Sequence, residues 1–116
     1  MRYLSALCLL VLASCGPVPS SEPPAHRVTV MSVACDANHG RPRADISVRN
    51  TGETTIEFAK AFVHFGDEMK SVHLDPQELR PGAFATATAY GSKGSSDNCA
   101  LAAVQDRNGF SAEVVR

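Results

Sequence analysis

From Arg43 to Asn50 the chain alternates apolar and polar residues without a break. Ala44, Ile46 and Val48 fall on one side, and Asp45, Ser47 and Arg49 on the other. A period of two belongs to a strand with one face in a core and one in water, and no helix preserves it. Arg27–Cys35 repeats the period, with Val28 and Val30 opposite Thr29, Met31 and Val33, and Met31 is expected in the core. Ala83–Tyr90 repeats it again, setting Phe84, Thr86, Thr88 and Tyr90 against four alanines.

Turn formers separate these runs. They are Asp36–Pro42, Asn50-Thr51-Gly52-Glu53, Gly66-Asp67-Glu68, Arg80-Pro81-Gly82 and the Gly/Ser stretch Gly91–Asp97. Thr54–Phe65 is apolar, and its phase is ambiguous around Ala59-Lys60-Ala61. It reads as a bulged strand or as a short strand followed by a longer one. Met69–Leu74 is a short strand. Asp75–Glu78 is compatible with one helical turn capped by Asp75. Asn98–Gln105 and Phe110–Val115 flank Asn108-Gly109, which predicts a hairpin. About seven short strands with frequent turns predict an all-β fold. The expected form is a small antiparallel β-sandwich of immunoglobulin-like kind over residues 27–116, without the core Trp of antibody domains.

The first sixteen residues, MRYLSALCLLVLASCG, are of another character. Arg2 precedes an apolar run of about ten residues, too short to cross a bilayer as a mature helix. The run closes on Leu12-Ala13-Ser14-Cys15, which resembles the lipobox of bacterial lipoproteins: a branched residue, two small residues and a cysteine. The resemblance implies cleavage before Cys15 and lipid on its thiol, so residues 1–14 are expected to be a signal peptide. Stable anchoring needs more than one acyl chain, a condition that a diacylglyceryl cysteine meets. Gly16 after the cysteine fits an outer-membrane protein facing the periplasm. Residues 15–26, rich in Pro and Ser, read as the lipidated residue and an extended tether.

Removing residues 1–14 takes Arg2 away and leaves ten basic against twelve acidic residues. That balance offers no basic patch for nucleic acid. Of four cysteines, Cys8 leaves with the signal and Cys15 carries lipid. Cys35 and Cys99 remain, and an exported protein meets an oxidising compartment, so a disulfide is the default. If strand directions alternate, the end of the first strand and the start of the sixth lie at one end of the sandwich, where these cysteines fall.

Three short runs resemble the FxLYD-type module of bacterial surface and periplasmic proteins. These are I-S-V-R-N-T-G, I-E-F-A-K-A-F-V-H-F-G-D and L-R-P-G-A-F. Asn50, Thr51 and Gly52 match its first turn. Phe65 and Asp67 match its strand end, with Gly66 intervening, and Leu79, Pro81, Gly82 and Phe84 match its last element. The match spans less than half of the mature chain. It implies a fold and an accessory or binding role, with no activity.

No catalytic set is legible. The serines Ser92, Ser95 and Ser96 lie in the Gly/Ser loop, outside any G-x-S-x-G pattern. His64 and His73 flank the Gly66 turn and, with Asp67 or Glu68, are the weak candidates for a surface metal site; no cofactor beyond the lipid on Cys15 is expected. The loops 36–42 and 91–98 share the end that the disulfide would fasten. Asp36, Asn38, His39, Arg41 and Lys93 are therefore the candidate partner-binding residues. The expected function is a non-enzymatic, lipid-anchored envelope protein that binds a protein partner or supports an assembly. The alternatives are a periplasmic immunity or inhibitor lipoprotein and a metal-binding lipoprotein.

Overall fold

The computed structural model describes residues 24–38 and 40–116. They form seven strands and, among the described residues, no helix: β1 (Arg27–Asn38), β2 (Arg41–Asn50), β3 (Lys60–Phe65), β4 (Glu68–His73), β5 (Phe84–Tyr90), β6 (Cys99–Gln105) and β7 (Glu113–Val115). Two sheets result, ordered β5-β2-β1-β7 and β4-β3-β6. The alternating faces meet between them. Ala44, Ile46 and Val48 of β2 and Ala85, Ala87 and Ala89 of β5 pack towards Ala61, Val63 and Phe65 of β3 and Leu101 and Val104 of β6. Small alanines on one sheet leave room for Phe65 and Leu101 of the other and for Leu74 and Leu79 of the β4–β5 connection, which gives a core without Trp. The all-β expectation and the count of about seven strands hold, and Cys35 and Cys99 are bonded with Cα atoms 5.7 Å apart.

Three details differ from the sequence reading, and one alternative left open there is decided. Met31 is half exposed rather than core. It is the extra residue of a bulge: Val30 pairs with Val48 and Ser32 with Ser47, so Met31 has no partner and the phase of β1 flips there. Val33 thereby returns to the core side, opposite Ile46.

Asp75–Glu78 makes no helical turn. Asp75 donates its N–H to Thr86 O (2.9 Å) and accepts from Thr86 N–H (3.0 Å), which holds the backbone extended where a helix would start. The ambiguous run 54–65 divides into an isolated bridge, Ile56 with Leu79, and then β3. The phase resets at Phe58, whose φ of 53° turns its ring outward and returns Ala59 inward.

The Asn108-Gly109 hairpin is abortive. Gly109 N–H closes a turn on Asp106 O (3.0 Å), but only Gln105 and Ser111 bridge. Ala112 N–H still reaches Val104 O, whereas Glu113 N–H reaches His26 O. The chain has changed sheets, and β7 runs parallel to β1, pairing Val28 with Val114. One parallel pair thus closes an otherwise antiparallel structure.

A buried amide ties the two turns of one end together. Asn50 is fully buried, and its Nδ2 donates to Thr54 O and Leu79 O, both at 2.9 Å. Its Oδ1 accepts from Gly52 N–H at 2.9 Å. Its backbone N–H bonds Ala83 O and its carbonyl accepts from Gly82 N–H. Replacing Asn50 by Ala removes three bonds; Leu79 O still accepts from Ile56 N–H and Gly52 N–H still reaches Arg27 O, so Thr54 O is the group left without a partner, at a cost of about 1–3 kcal/mol. Urea denaturation of Asn50→Ala is expected to show a loss of about 1–3 kcal/mol at unchanged m value; a change within experimental scatter would contradict this role.

Candidate functional site

Strand directions give the sandwich two distinct ends. One holds the start of β1 and the connections 51–59, 74–83 and 106–112. The other holds the β1–β2 connection, the Gly66 turn and the 91–98 loop, together with the disulfide; most of the loop expected over 36–42 is strand, because β1 runs to Asn38 and β2 starts at Arg41, with Asp36 paired to Arg43 and Ala37 to Pro42.

At the disulfide end the loops are bonded to one another. Gly91 N–H donates to Pro42 O (2.9 Å), Gly94 N–H to Gly40 O (3.4 Å) and Gly66 N–H to Asn98 O (3.1 Å). Gly91 is required by close approach: a Cβ there would lie 2.5 Å from Pro42 Cγ and 3.0 Å from the Phe65 ring. Arg41 Nε donates to Gly91 O (3.2 Å), and its guanidinium lies 5.3 Å from the centre of the Tyr90 ring. The Lys93 stem lies against Gly40. Asp36 faces Arg43 across the β1–β2 ladder, and Asn38 pairs with Arg41 at its end. His39 and Cys15 lie outside the described residues. The fold therefore gathers Asp36, Arg41 and Lys93 on one exposed end.

The strongest clasp there was not legible in the sequence. The Glu68 carboxylate accepts from Ser92 Oγ, from Ser92 N–H (2.8 Å) and from Ser95 Oγ (2.7 Å), with Lys70 Nζ 3.6 Å away. These bonds, led by that of the Ser92 hydroxyl, lower the Glu68 pKa to about 2. The Gly/Ser loop, which composition marks as flexible, is held by a carboxylate from the first residue of β4. A hydroxyl-rich loop with an acidic turn residue elsewhere is too common a pattern to single out.

The proposed pairing of His64 with His73 is not found. His64 pairs with Met69 and His73 with Lys60. The two imidazoles are thus four residues apart along the ladder, about 13 Å at strand rise. The tight turn at Gly66 puts residues equidistant from it opposite each other, and these two are not equidistant. Among the described residues no three His, Cys, Asp or Glu side chains gather as metal ligands.

His26, expected in the tether, belongs to the fold. It is 6% exposed, with Nε2 3.0 Å from Asp106 Oδ2 and Nδ1 2.8 Å from Thr54 Oγ1. Asp106 Oδ1 also accepts from Asn108 N–H (2.8 Å) and Phe110 N–H (3.0 Å). Burial opposes ionisation of Asp106, but the bonds from His26, Phe110 and Asn108 outweigh it and hold the carboxyl below its usual range. An ionised carboxylate only accepts, so Nε2 donates to it, and Nδ1 of a neutral ring accepts from the Thr54 hydroxyl. A hydroxyl used this way is committed to the fold and is no nucleophile in waiting.

No family model, curated protein or solved structure matches this chain. The reading of the site rests on its own geometry.

Two outcomes are expected at this end. The folded Glu68 pKa is depressed, so its stabilisation is complete above pH 4.5 and fades as pH falls towards about 2. Amide exchange at Ser92 should accelerate over that window, and Glu68→Gln should already exchange fast at neutral pH; equal protection in both proteins would refute the clasp. Separately, the Cys35→Ala/Cys99→Ala protein lacks a bond between residues 64 positions apart. Its unfolding free energy should drop by about 4 kcal/mol on the chain-entropy scale.

Proposed function

We propose that this protein is a lipid-anchored, non-enzymatic envelope protein in which an immunoglobulin-like sandwich presents its disulfide end to a protein partner. The supporting observation is the arrangement of the two ends. The chain from Cys15 joins the domain at His26, at one end, while Asp36 at the end of β1, Arg41 at the start of β2 and Lys93 in the fastened loop lie at the other. Anchoring at Cys15 would leave those loops directed away from the lipid. Their rigidity suits binding: a disulfide, a carboxylate clasp and three backbone bonds fix the loops beforehand, so association loses little further entropy.

The partner lies in the envelope, on the periplasmic side of the outer membrane in this reading. The same pre-organised end supports the second reading, an immunity or inhibitor lipoprotein, because blocking an enzyme demands a surface that does not yield on contact. The two differ in whether the partner is a resident envelope component or a toxin or lytic enzyme.

A two-part experiment tests the proposal. Cells fed an alkyne fatty acid should label the wild-type protein and not Cys15→Ser, and persistent label in the variant would end the lipoprotein reading. A photo-crosslinking residue at position 93 should then give a discrete protein adduct in intact envelopes, absent when the same group is placed at position 53. Loss of that adduct on Arg41→Glu is expected, and an adduct indifferent to Arg41 would place the partner elsewhere.

A further inference from the structure

The end through which the chain leads back towards Cys15 carries all the exposed phenylalanines. Phe58, Phe84 and Phe110 are 47%, 54% and 41% exposed. Phe58 lies two residues before β3 begins, Phe84 opens β5 and Phe110 lies between β6 and β7, so all three fall at this end. The disulfide end exposes Met69 and Tyr90 instead.

Phe58 is the most informative of them. A φ of 53° is unfavourable for a bulky side chain, and the position would suit Asn or Gly. The ring is nonetheless held outward. Arg107 stacks on it with its guanidinium carbon 4.5 Å from the ring centre. Arg107 is itself fixed by its N–H to Glu57 O (2.9 Å) and by Nη1 to Glu57 Oε1 (3.3 Å). Open clefts of about 420 and 340 Å³ flank the ring, which leaves it 47% exposed beneath Arg107. Arg49 stacks similarly on Phe84, at 5.2 Å. Aromatic rings topped by guanidinium groups match a bilayer interface, where the ring enters the acyl boundary and the cation stays among phosphates.

We propose that this end of the domain rests on the bilayer, with Phe58 and Phe110 inserted at the interface and Arg107 at headgroup depth. The proposal rests on the lipid-anchor reading of Cys15. Chain length supports it: eleven residue steps separate Cys15 from His26, a reach of at most about 36–40 Å. The buried His26 fastens that leash to the phenylalanine-bearing end. A leash this short holds the rings at an effective concentration of about millimolar, so a contact too weak to recruit a free protein is still populated. The cations of this end are largely matched by carboxylates, as in Arg107–Glu57, Arg80–Glu78 and Arg27–Glu113, so ring insertion dominates over attraction to anionic lipid.

The chain contains no Trp, which makes the test direct. Phe58→Trp, Phe110→Trp and Tyr90→Trp would each be made in the lipidated protein and reconstituted into phosphatidylethanolamine/phosphatidylglycerol vesicles with brominated acyl chains. For Phe58→Trp and Phe110→Trp, emission should shift to the blue and be quenched about twofold or more, as expected of rings at 5–10 Å depth. Tyr90→Trp should remain unquenched. Flotation with the vesicles and no quenching at either Phe position overturns the contact while leaving the anchor intact. A blue shift without bromine quenching overturns it too, by placing the rings in protein. Absence of lipid on Cys15 by intact mass, with no flotation, removes the anchor and the proposal together.

Discussion

The side chain of Asn50 joins segments that would otherwise be independent turns. Through Leu79 O and Thr54 O it sets the 79–83 connection on the 50–54 turn, and the backbone bonds to Gly82 and Ala83 complete the match. That contact decides where β5 begins. With Ala83 bonded to Asn50, Phe84 lies opposite Arg49, and every later pair of the β2–β5 ladder follows. A slip of one residue would turn Ala85, Ala87 and Ala89 to solvent and send Thr86 and Thr88 into the core. The polar bonds of one amide therefore select which face of β5 is apolar. The turns at Asn50-Thr51-Gly52 and Arg80-Pro81-Gly82 meet here, so their residues serve closure of the fold.

Where one face is buried and the ladder is regular, the sequence was readable. β2 and β5 follow their periodicity throughout, because each inward position has the same neighbours and each outward position the same solvent. The failures share a cause. At Met31 and Phe58 the backbone departs from the repeat, and a period-of-two reading carries the wrong phase past such a point. At Asp75 and β7, tertiary pairing overrode local preference: a capped turn yielded to a bridge with Thr86, and a hairpin signal to a parallel pairing with β1.

The site divides along the same line. The bond between Cys35 and Cys99 was accessible to reasoning because an even pair of cysteines and alternating strand directions are countable properties. The Glu68 clasp and the His26–Asp106 pair were not, since each joins residues far apart in sequence through side chains whose usual place is the surface. The result is a domain fastened at both ends by different chemistry. A disulfide and a nearly exposed carboxylate hold one end, and a buried imidazole–carboxylate pair the other.

The position of the disulfide also determines how the molecule would transmit tension. A pull that enters at His26 and leaves through the 91–98 loop has a covalent shortcut: it travels along β1 to Cys35 and crosses directly to Cys99. The intervening strands β2 to β5 are bypassed and cannot be drawn out in sequence. What resists is the backbone of β1 itself, already extended as a strand, in series with the disulfide. The domain thus behaves as a short, stiff link between its two ends, with most of its chain kept out of the line of stress.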